Sequence, residues 1–119
     1  MKYEIEMDAI PQGRARYWKG RVVDTVKSRK YKTELRAQLS LKKGEEELKT
    51  GAVQVKIKVY RKFKTSTNAR YGDIDNIAKS ILDACTGILW VDDRQVVSLE
   101  IEKCISEKAR MEIEVLEGV

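Results

Sequence analysis

Four aspartates and one lysine carry the most chemistry in this chain. Asp73 and Asp75 form a D-x-D within Gly72-Asp73-Ile74-Asp75-Asn76, Lys79 follows, and Asp92-Asp93 come after Trp90. In extended backbone, residues two apart project to the same side, so a D-x-D at a helix entrance can turn both carboxylates toward one cation. Within a helix the same two residues would point apart. If the strand after Asp93 returns beside the helix's N-terminal end, its carboxylate completes the same site. Clustered carboxylates with open positions suit Mg²⁺ or Mn²⁺, which prefer oxygen ligands, and a divalent cation offsets the repulsion among them. Lys79, one helical turn past Asp75, could stabilise charge developing on a phosphoryl group or its leaving oxygen. Each residue also has a plainer use. Asp73 or Asp75 could cap a helix, with Asn76 sharing that role; Asp92-Asp93 could form an ordinary turn; Lys79 could be a solvated helix lysine.

The absence of histidine narrows the alternatives. Ser-His-Asp and Cys-His nucleophile systems, histidine-zinc proteases and HNH-type nucleases all need an imidazole. Cys85 and Cys104 are too few and too far apart for a zinc cluster or a redox C-x-x-C, and read as small buried hydrophobes. The sequence has no apolar leader after Met1 and no run long enough to span a membrane, which predicts a cytoplasmic protein.

The net charge of +5 conceals strong sorting along the chain. Residues 11–32 hold Arg14, Arg16, Lys19, Arg21, Lys27, Arg29, Lys30 and Lys32 against Asp24 alone, and residues 54–70 hold Lys56, Lys58, Arg61, Lys62, Lys64 and Arg70 against no acid. Residues 71–119 are net acidic. Blocks of one sign in an ordered domain suit a partner of the other, most simply a phosphate backbone, with a solvated basic face as the alternative. Arg14, Arg16, Lys19, Arg21, Lys62, Lys64 and Arg70 are the candidate DNA contacts. Tyr17, Trp18, Tyr31, Tyr60 and Phe63 are interleaved with these blocks and could stack on exposed bases.

The elements that must position these groups follow from hydrophobic period. Residues 2–9 alternate as a half-buried strand, and Pro11, Gly13 and Gly20 punctuate a basic loop. Tyr31, Leu35 and Leu39 mark one face of a helix over 25–43, ended by Gly44. Val53, Val55, Ile57 and Val59 alternate with Gln54, Lys56, Lys58 and Tyr60, predicting a strand with one core face and one basic face. A polar loop over 61–72 leads to a helix over 75–87 with Ile77, Ala78, Ile81, Leu82 and Cys85 on one face. Val97, Leu99 and Ile101, then Met111, Ile113 and Val115, alternate as two strands that read as an antiparallel hairpin. The expected fold is α+β, one layer of helices on a small mixed sheet in the order β-α-β-α-β-β, as a single domain over 1–119.

These motifs resemble a known family. Gly72-Asp73-Ile74-Asp75-Asn76-Ile77-Ala78-Lys79, followed by Gly87-Ile88-Leu89-Trp90-Val91-Asp92-Asp93-Arg94-Gln95-Val96, is similar to the core signature of RusA-type Holliday junction resolvases. Pro11-Gln12-Gly13-Arg14-Ala15-Arg16-Tyr17, with Gly20-Arg21-Val22 and Tyr31, resembles that family's basic N-terminal motif, so the similarity runs from about residue 5 to 115. The chain departs from the pattern in lacking an aromatic and a proline around Val23 and Val26. The resemblance implies a homodimeric, Mg²⁺-dependent endodeoxyribonuclease, with Mn²⁺ as a possible substitute, that nicks four-way DNA junctions symmetrically in recombination and repair. It implies Asp73, Asp75 and Asp93 as catalytic metal ligands, with Asp92 ranked below Asp93, and Lys79 as important for cleavage. It implies DNA contacts for Arg14 and Arg16 and a bacterial or prophage source. A non-catalytic basic DNA-binding module, its aspartates serving as caps and turns, is the competing reading.

Overall fold

The computed structural model describes residues 1–9, 16–18, 21–23, 26–61 and 73–118, with the side chains of 16–18, 21–23 and Ser28 left aside. The chain runs β1 (Lys2–Ile5), β2 (Arg16–Trp18), β3 (Arg21–Val23), α1 (Val26–Lys43), β4 (Val53–Arg61), α2 (Ile74–Cys85), a 3-10 turn (Asp93–Gln95), β5 (Val96–Ile105) and β6 (Arg110–Glu117). Four strands form a mixed sheet in the order β1-β6-β4-β5, and β2 pairs with β3 as a separate antiparallel ribbon inside the basic N-terminal segment. The architecture is the expected α+β layer of helices on a sheet; the β2–β3 ribbon is an addition that apolar period alone does not mark.

Alternation sets the two faces of the sheet. Tyr3 and Ile5 of β1, Val53, Val55, Ile57 and Val59 of β4, and Met111, Ile113 and Val115 of β6 are buried in one cluster. Tyr31, Leu35 and Leu39 of α1 and Ile77, Ile81, Ala84 and Cys85 of α2 close that cluster from the helix side. The period of two on strands meets the 3.6-residue period on helices, and burying both stripes against each other supplies the main driving force.

The last two strands do not form a hairpin. β5 pairs parallel with β4, and β6 pairs antiparallel with β4 on its other side, so β4 lies between them. The link over 106–109 crosses the end of β4, where the Ser106 N–H donates to the Arg61 carbonyl at 2.9 Å. The reason is burial: β6 is flanked on both sides by strands and its Met111, Ile113 and Val115 lie in the core, whereas β5 takes the edge with Val97 and Leu99 54% and 39% exposed. Val97 is also the extra residue of a bulge, since Val96 pairs with Val53 and Ser98 with Gln54.

The basic face expected on β4 is met by acid. Lys56 lies between Glu100 and Glu114, and Lys58 between Glu102 and Glu112. Lys2 of β1 reaches Glu112 at 3.4 Å, and the Arg110 guanidinium donates to Glu112 at 2.8 Å while stacking 3.7 Å from the Tyr60 ring centre. That guanidinium, with Lys2, holds the Glu112 carboxyl below its ordinary range.

Because β4 and β5 run parallel, the chain must return along the sheet between them, and α2 makes that return. Its C-terminal end is tied down firmly. The Arg36 guanidinium, from α1, donates to the Ala84 and Thr86 carbonyls at 3.1 and 2.6 Å, satisfying acceptors that the helix leaves open. Gly87 follows with φ of +87°, a left-handed conformation that side chains disfavour, and an added Cβ would sit 3.4 Å from Arg36. The buried Trp90 indole N–H donates to Thr86 Oγ1 at 3.1 Å. Lys32 pairs with Asp83 at 3.4 Å alongside. Replacing Arg36 by Met keeps the aliphatic stem but leaves both carbonyls unpartnered; urea unfolding should show a loss of about 1–3 kcal/mol.

Candidate functional site

Both helices start at one end of the sheet. Ile5, at the end of β1, pairs with Met111, which pairs in turn with Val59 near the end of β4. The Tyr31 hydroxyl, in the second turn of α1, donates to Met111 Sδ at 3.7 Å. Asp8, just past β1, takes a 2.7 Å ion pair from Arg61 at the end of β4. The far end of α2 is fixed at the start of β4, where the Lys49 N–H donates to the Leu89 carbonyl at 3.0 Å. The N-terminus of α2, with Asp73 and Asp75, therefore lies toward the Arg61 end.

Asp73 occupies the N-cap position of α2 in extended conformation, with φ −78° and ψ 147°, yet its side chain makes no capping hydrogen bond. The capping role open to it in the sequence is not taken up, and the exposed carboxylate is left to face outward. Asp75, in the first turn, is also exposed, and its Oδ1 accepts from the Asn76 N–H at 3.0 Å. Both sit at the positive end of the helix dipole, which favours anionic side chains there. Lys79 is exposed one turn further on, on the face that Asp75 shares.

Asp92 and Asp93 stand at the other end. α2 has 12 residues, so its ends are about 18 Å apart at 1.5 Å per residue. Asp92 caps the 3-10 turn: its Oδ1 accepts from the Arg94 N–H at 2.9 Å, and the Arg94 guanidinium closes on both oxygens at 3.2 Å. Arg94 holds the Asp92 carboxyl down to about 2. Asp93, the next residue, opens the turn and is exposed. Gln95 explains the rest of the motif. Its Oε1 accepts from the Val91 and Asp92 N–H groups at 2.9 and 2.8 Å, and its Nε2 donates to the Lys49 and Gly51 carbonyls, both at 2.8 Å. One amide thus ties the aspartate pair to the entry of β4.

The strand carrying Asp93 consequently does not return beside the N-terminal end of α2. Among the described residues no three His, Cys, Asp or Glu side chains gather closely enough to hold a metal ion. Within one chain, Asp73 and Asp75 are grouped at one end of α2 and Asp92 and Asp93 at the other. The donors at the α2 N-terminus nevertheless suit a hard divalent cation: two carboxylates, exposed, one of them unused by the cap.

Of the candidate DNA contacts, Arg14, Lys19, Lys62, Lys64 and Arg70 lie outside the described residues, and Arg16 and Arg21 are placed by backbone alone on β2 and β3. Sequence reasoning gave no site role to two other features of this end. Lys27 and Lys30, in the first turns of α1, line a groove of about 560 Å³ with Met7, Asp8, Tyr31 and Glu34. The first turn of α1 has no acid, a signal readable from the 11–32 block. Asp8 gave no such signal: burial pushes its carboxyl up while Arg61 pulls it down, and its Oδ1 is buried without a partner among the described residues.

The chain's residues 6–116 match the family model of endodeoxyribonuclease RusA. An uncharacterized protein, YqaN, of Bacillus subtilis (strain 168) is 31% identical over 123 aligned positions, covering 90% of this chain and 86% of that protein. This chain belongs to the RusA endodeoxyribonuclease family. With that membership come endodeoxyribonuclease activity of the Holliday-junction-resolving kind and the binding of branched DNA. None of the described helices is long and apolar enough to cross a membrane.

Two outcomes follow for the Asp92 turn. Gln95→Ala removes four hydrogen bonds at a partly buried position, and urea unfolding should register a loss of about 1–3 kcal/mol. The Asp92 carboxyl lies lower in the folded chain than its ordinary 3.8, so its contribution to stability is present above pH 3.8 and is lost as pH falls toward about 2. Asp92→Asn should therefore be less stable than the parent at neutral pH, with urea midpoints converging over that acid window.

Proposed function

We propose that this protein is a metal-dependent, structure-selective endodeoxyribonuclease that resolves four-way junctions by paired, symmetrical nicks, and that it serves recombination and repair in a bacterial or prophage setting. The observation that carries the reading is the pair of exposed carboxylates, Asp73 and Asp75, at the positive end of α2, beyond Arg61, where the second basic block continues as Lys62, Lys64 and Arg70. In this reading Asp73 and Asp75 hold Mg²⁺, or Mn²⁺ in its place. When bound, the cation supplies Lewis acidity at the scissile phosphate. The basic side chains hold the DNA backbone against it. Lys79 offsets negative charge as the phosphorus–oxygen bond breaks.

Asp93 completes this site from a second chain. One chain keeps its aspartate pairs about the length of α2 apart, and two copies related by a two-fold axis can each lend Asp93 to the other. Two equivalent sites on two equivalent strands then account for symmetrical nicking. Asp92, engaged by Arg94 and its own turn, orients Asp93 and ranks below it as a ligand.

A mobile four-way junction should be cut with Mg²⁺ and left intact with EDTA, while a linear duplex of the same sequence is spared. Metal-independent cutting, or none, would sink the reading. Asp75→Asn and Asp93→Asn should each bind junctions and cut none. Mixed in equal amounts and allowed to exchange subunits, they should regain about a quarter of the parent's sites, as unpaired nicks, because each mixed dimer has one intact site. A mixture as inactive as its components would rule out the shared site.

A further inference from the structure

We propose that Arg94 grips the DNA backbone, its guanidinium held in place by Asp92 and its open edge offered to a phosphate beside the scissile one. The inference deepens the nuclease reading above and rests on the role of Asp93 there, which brings the scissile phosphate close by.

Only two basic residues, Lys79 and Arg94, fall between Gly72 and Val96, a stretch with five aspartates. Lys79 has a place in the reading above, and Arg94 has none. Its backbone N–H is what the 3-10 turn needs, donating to Asp92 Oδ1 at 2.9 Å, and almost any residue would supply that. The guanidinium is not required to anchor the turn, which Gln95 already ties to the Lys49 and Gly51 carbonyls. Nor does the ion pair add much to stability. The Arg94 side chain is 88% exposed and that of Asp92 43%, and exposed pairs of this kind contribute little.

What the pair does achieve is order. Arg94 Nε and Nη2 donate to the two Asp92 oxygens, each at 3.2 Å, and Asp92 is itself fixed through its own N–H on Gln95 Oε1 at 2.8 Å. An exposed arginine normally loses much rotamer freedom on gripping a ligand; here that freedom is already restricted. A guanidinium has five N–H donors, and the end carrying Nη1 is left open by the bonds to Asp92. Parallel donors on a planar cation match two oxygens of one phosphate, a fit that an ammonium does not have. Location favours the same ligand. Arg94 directly follows the exposed Asp93, so with Asp93 at the scissile phosphate this turn lies against the strand. A strand of duplex carries one phosphate per about 3.4 Å of axis, which puts a neighbouring phosphate close by. Arg94 also offsets the repulsion that Asp92 would otherwise exert on that strand.

Binding of a synthetic four-way junction, measured in EDTA across a salt series, tests the contact without cutting. Arg94→Ala should keep the parent's far-ultraviolet spectrum and bind about tenfold more weakly. Its plot of log affinity against log salt should be shallower by about 0.9, the signature of one lost phosphate contact. Arg94→Lys should restore the slope, because the charge is kept. In Mg²⁺ it should still cut about tenfold more slowly than the parent, because the fork is lost. Asp92→Asn keeps an acceptor for the Arg94 N–H but loosens the guanidinium, so the parent slope should persist while cutting slows. Adding Arg94→Ala to it should slow cutting no further than Arg94→Ala alone. An unchanged slope in Arg94→Ala would overturn the contact, and Arg94→Lys cutting at the parent's rate would overturn the fork. A double variant well below Arg94→Ala would remove the positioning role of Asp92. The slopes are read without metal and so judge Arg94 apart from the nuclease reading. A shallower slope beside a parent that cuts nothing removes that reading alone, and an unchanged slope beside a parent that cuts junctions removes the Arg94 contact alone.

Discussion

The parallel pairing of β5 with β4 is the constraint on which the arrangement of functional groups depends. Two adjacent parallel strands oblige the chain to travel back the length of the sheet, and α2 makes that journey. Whatever precedes the helix is then delivered to one end of the sheet and whatever follows it to the other. Asp73 and Asp75 fall on the first side of that return, and Asp92 and Asp93 on the second. The groups that secure the return are mostly polar. Arg36 closes the last carbonyls of α2, Trp90 bonds to Thr86, and Gln95 links the aspartate turn to the carbonyls before β4. Thr86, Trp90 and Gln95, all close to the acidic motif, are thereby accounted for by their structural bonds, without any need to touch DNA.

Charge is distributed on the same plan. The outer face of the sheet is a lattice in which Lys56 and Lys58 are each flanked by two glutamates, so a third of what reads as one basic block is neutralised by its neighbours. Arg61 at the end of the strand is spent partly on Asp8. Exposed basic charge is concentrated at the start of α1, in Lys27, Arg29 and Lys30, at the end where α2 begins with its two aspartates. A polyanion is thus favoured at one end of the molecule rather than across its broad face. The modest net charge of +5 is the residue of this sorting and says little about local field.

How much was legible in the sequence follows from the range of each interaction. The helices and strands follow from local period: α1 begins one residue from its expected start, and the buried stripe of α2 is the one that Ile77, Ile81 and Cys85 predict. Pairing order is a long-range property. β5 and β6 share the same apolar alternation and a short connection, which suits a hairpin, but nothing local says that β4 will insert between them. The different fates of Asp92 and Asp93 were equally hidden. Adjacent identical residues differ only in which one a following Arg94 and Gln95 can reach, and that depends on the 3-10 turn. Whether the strand after Asp93 returns beside the N-terminal end of α2 was hidden for the same reason as the hairpin: the direction of β5 is set by β4, far away in sequence.

The proposed sharing of an acidic site between two chains has a physical consequence for the metal-free protein. Four carboxylates held together without a cation would repel one another, and each uncompensated approach would cost stability. A single chain that keeps its pairs at opposite ends of α2, a helix about 18 Å long, avoids most of that cost, since charges more than a Debye length apart through solvent are largely screened. On the proposed sharing the repulsion is incurred only on assembly, where the cation offsets it. On that reading, a cation that binds the assembled form alone must tighten the dimer by the same factor as dimerisation tightens the cation. Assembly and the metal site would thus be two faces of one equilibrium, with cutting confined to the paired state that can nick two strands.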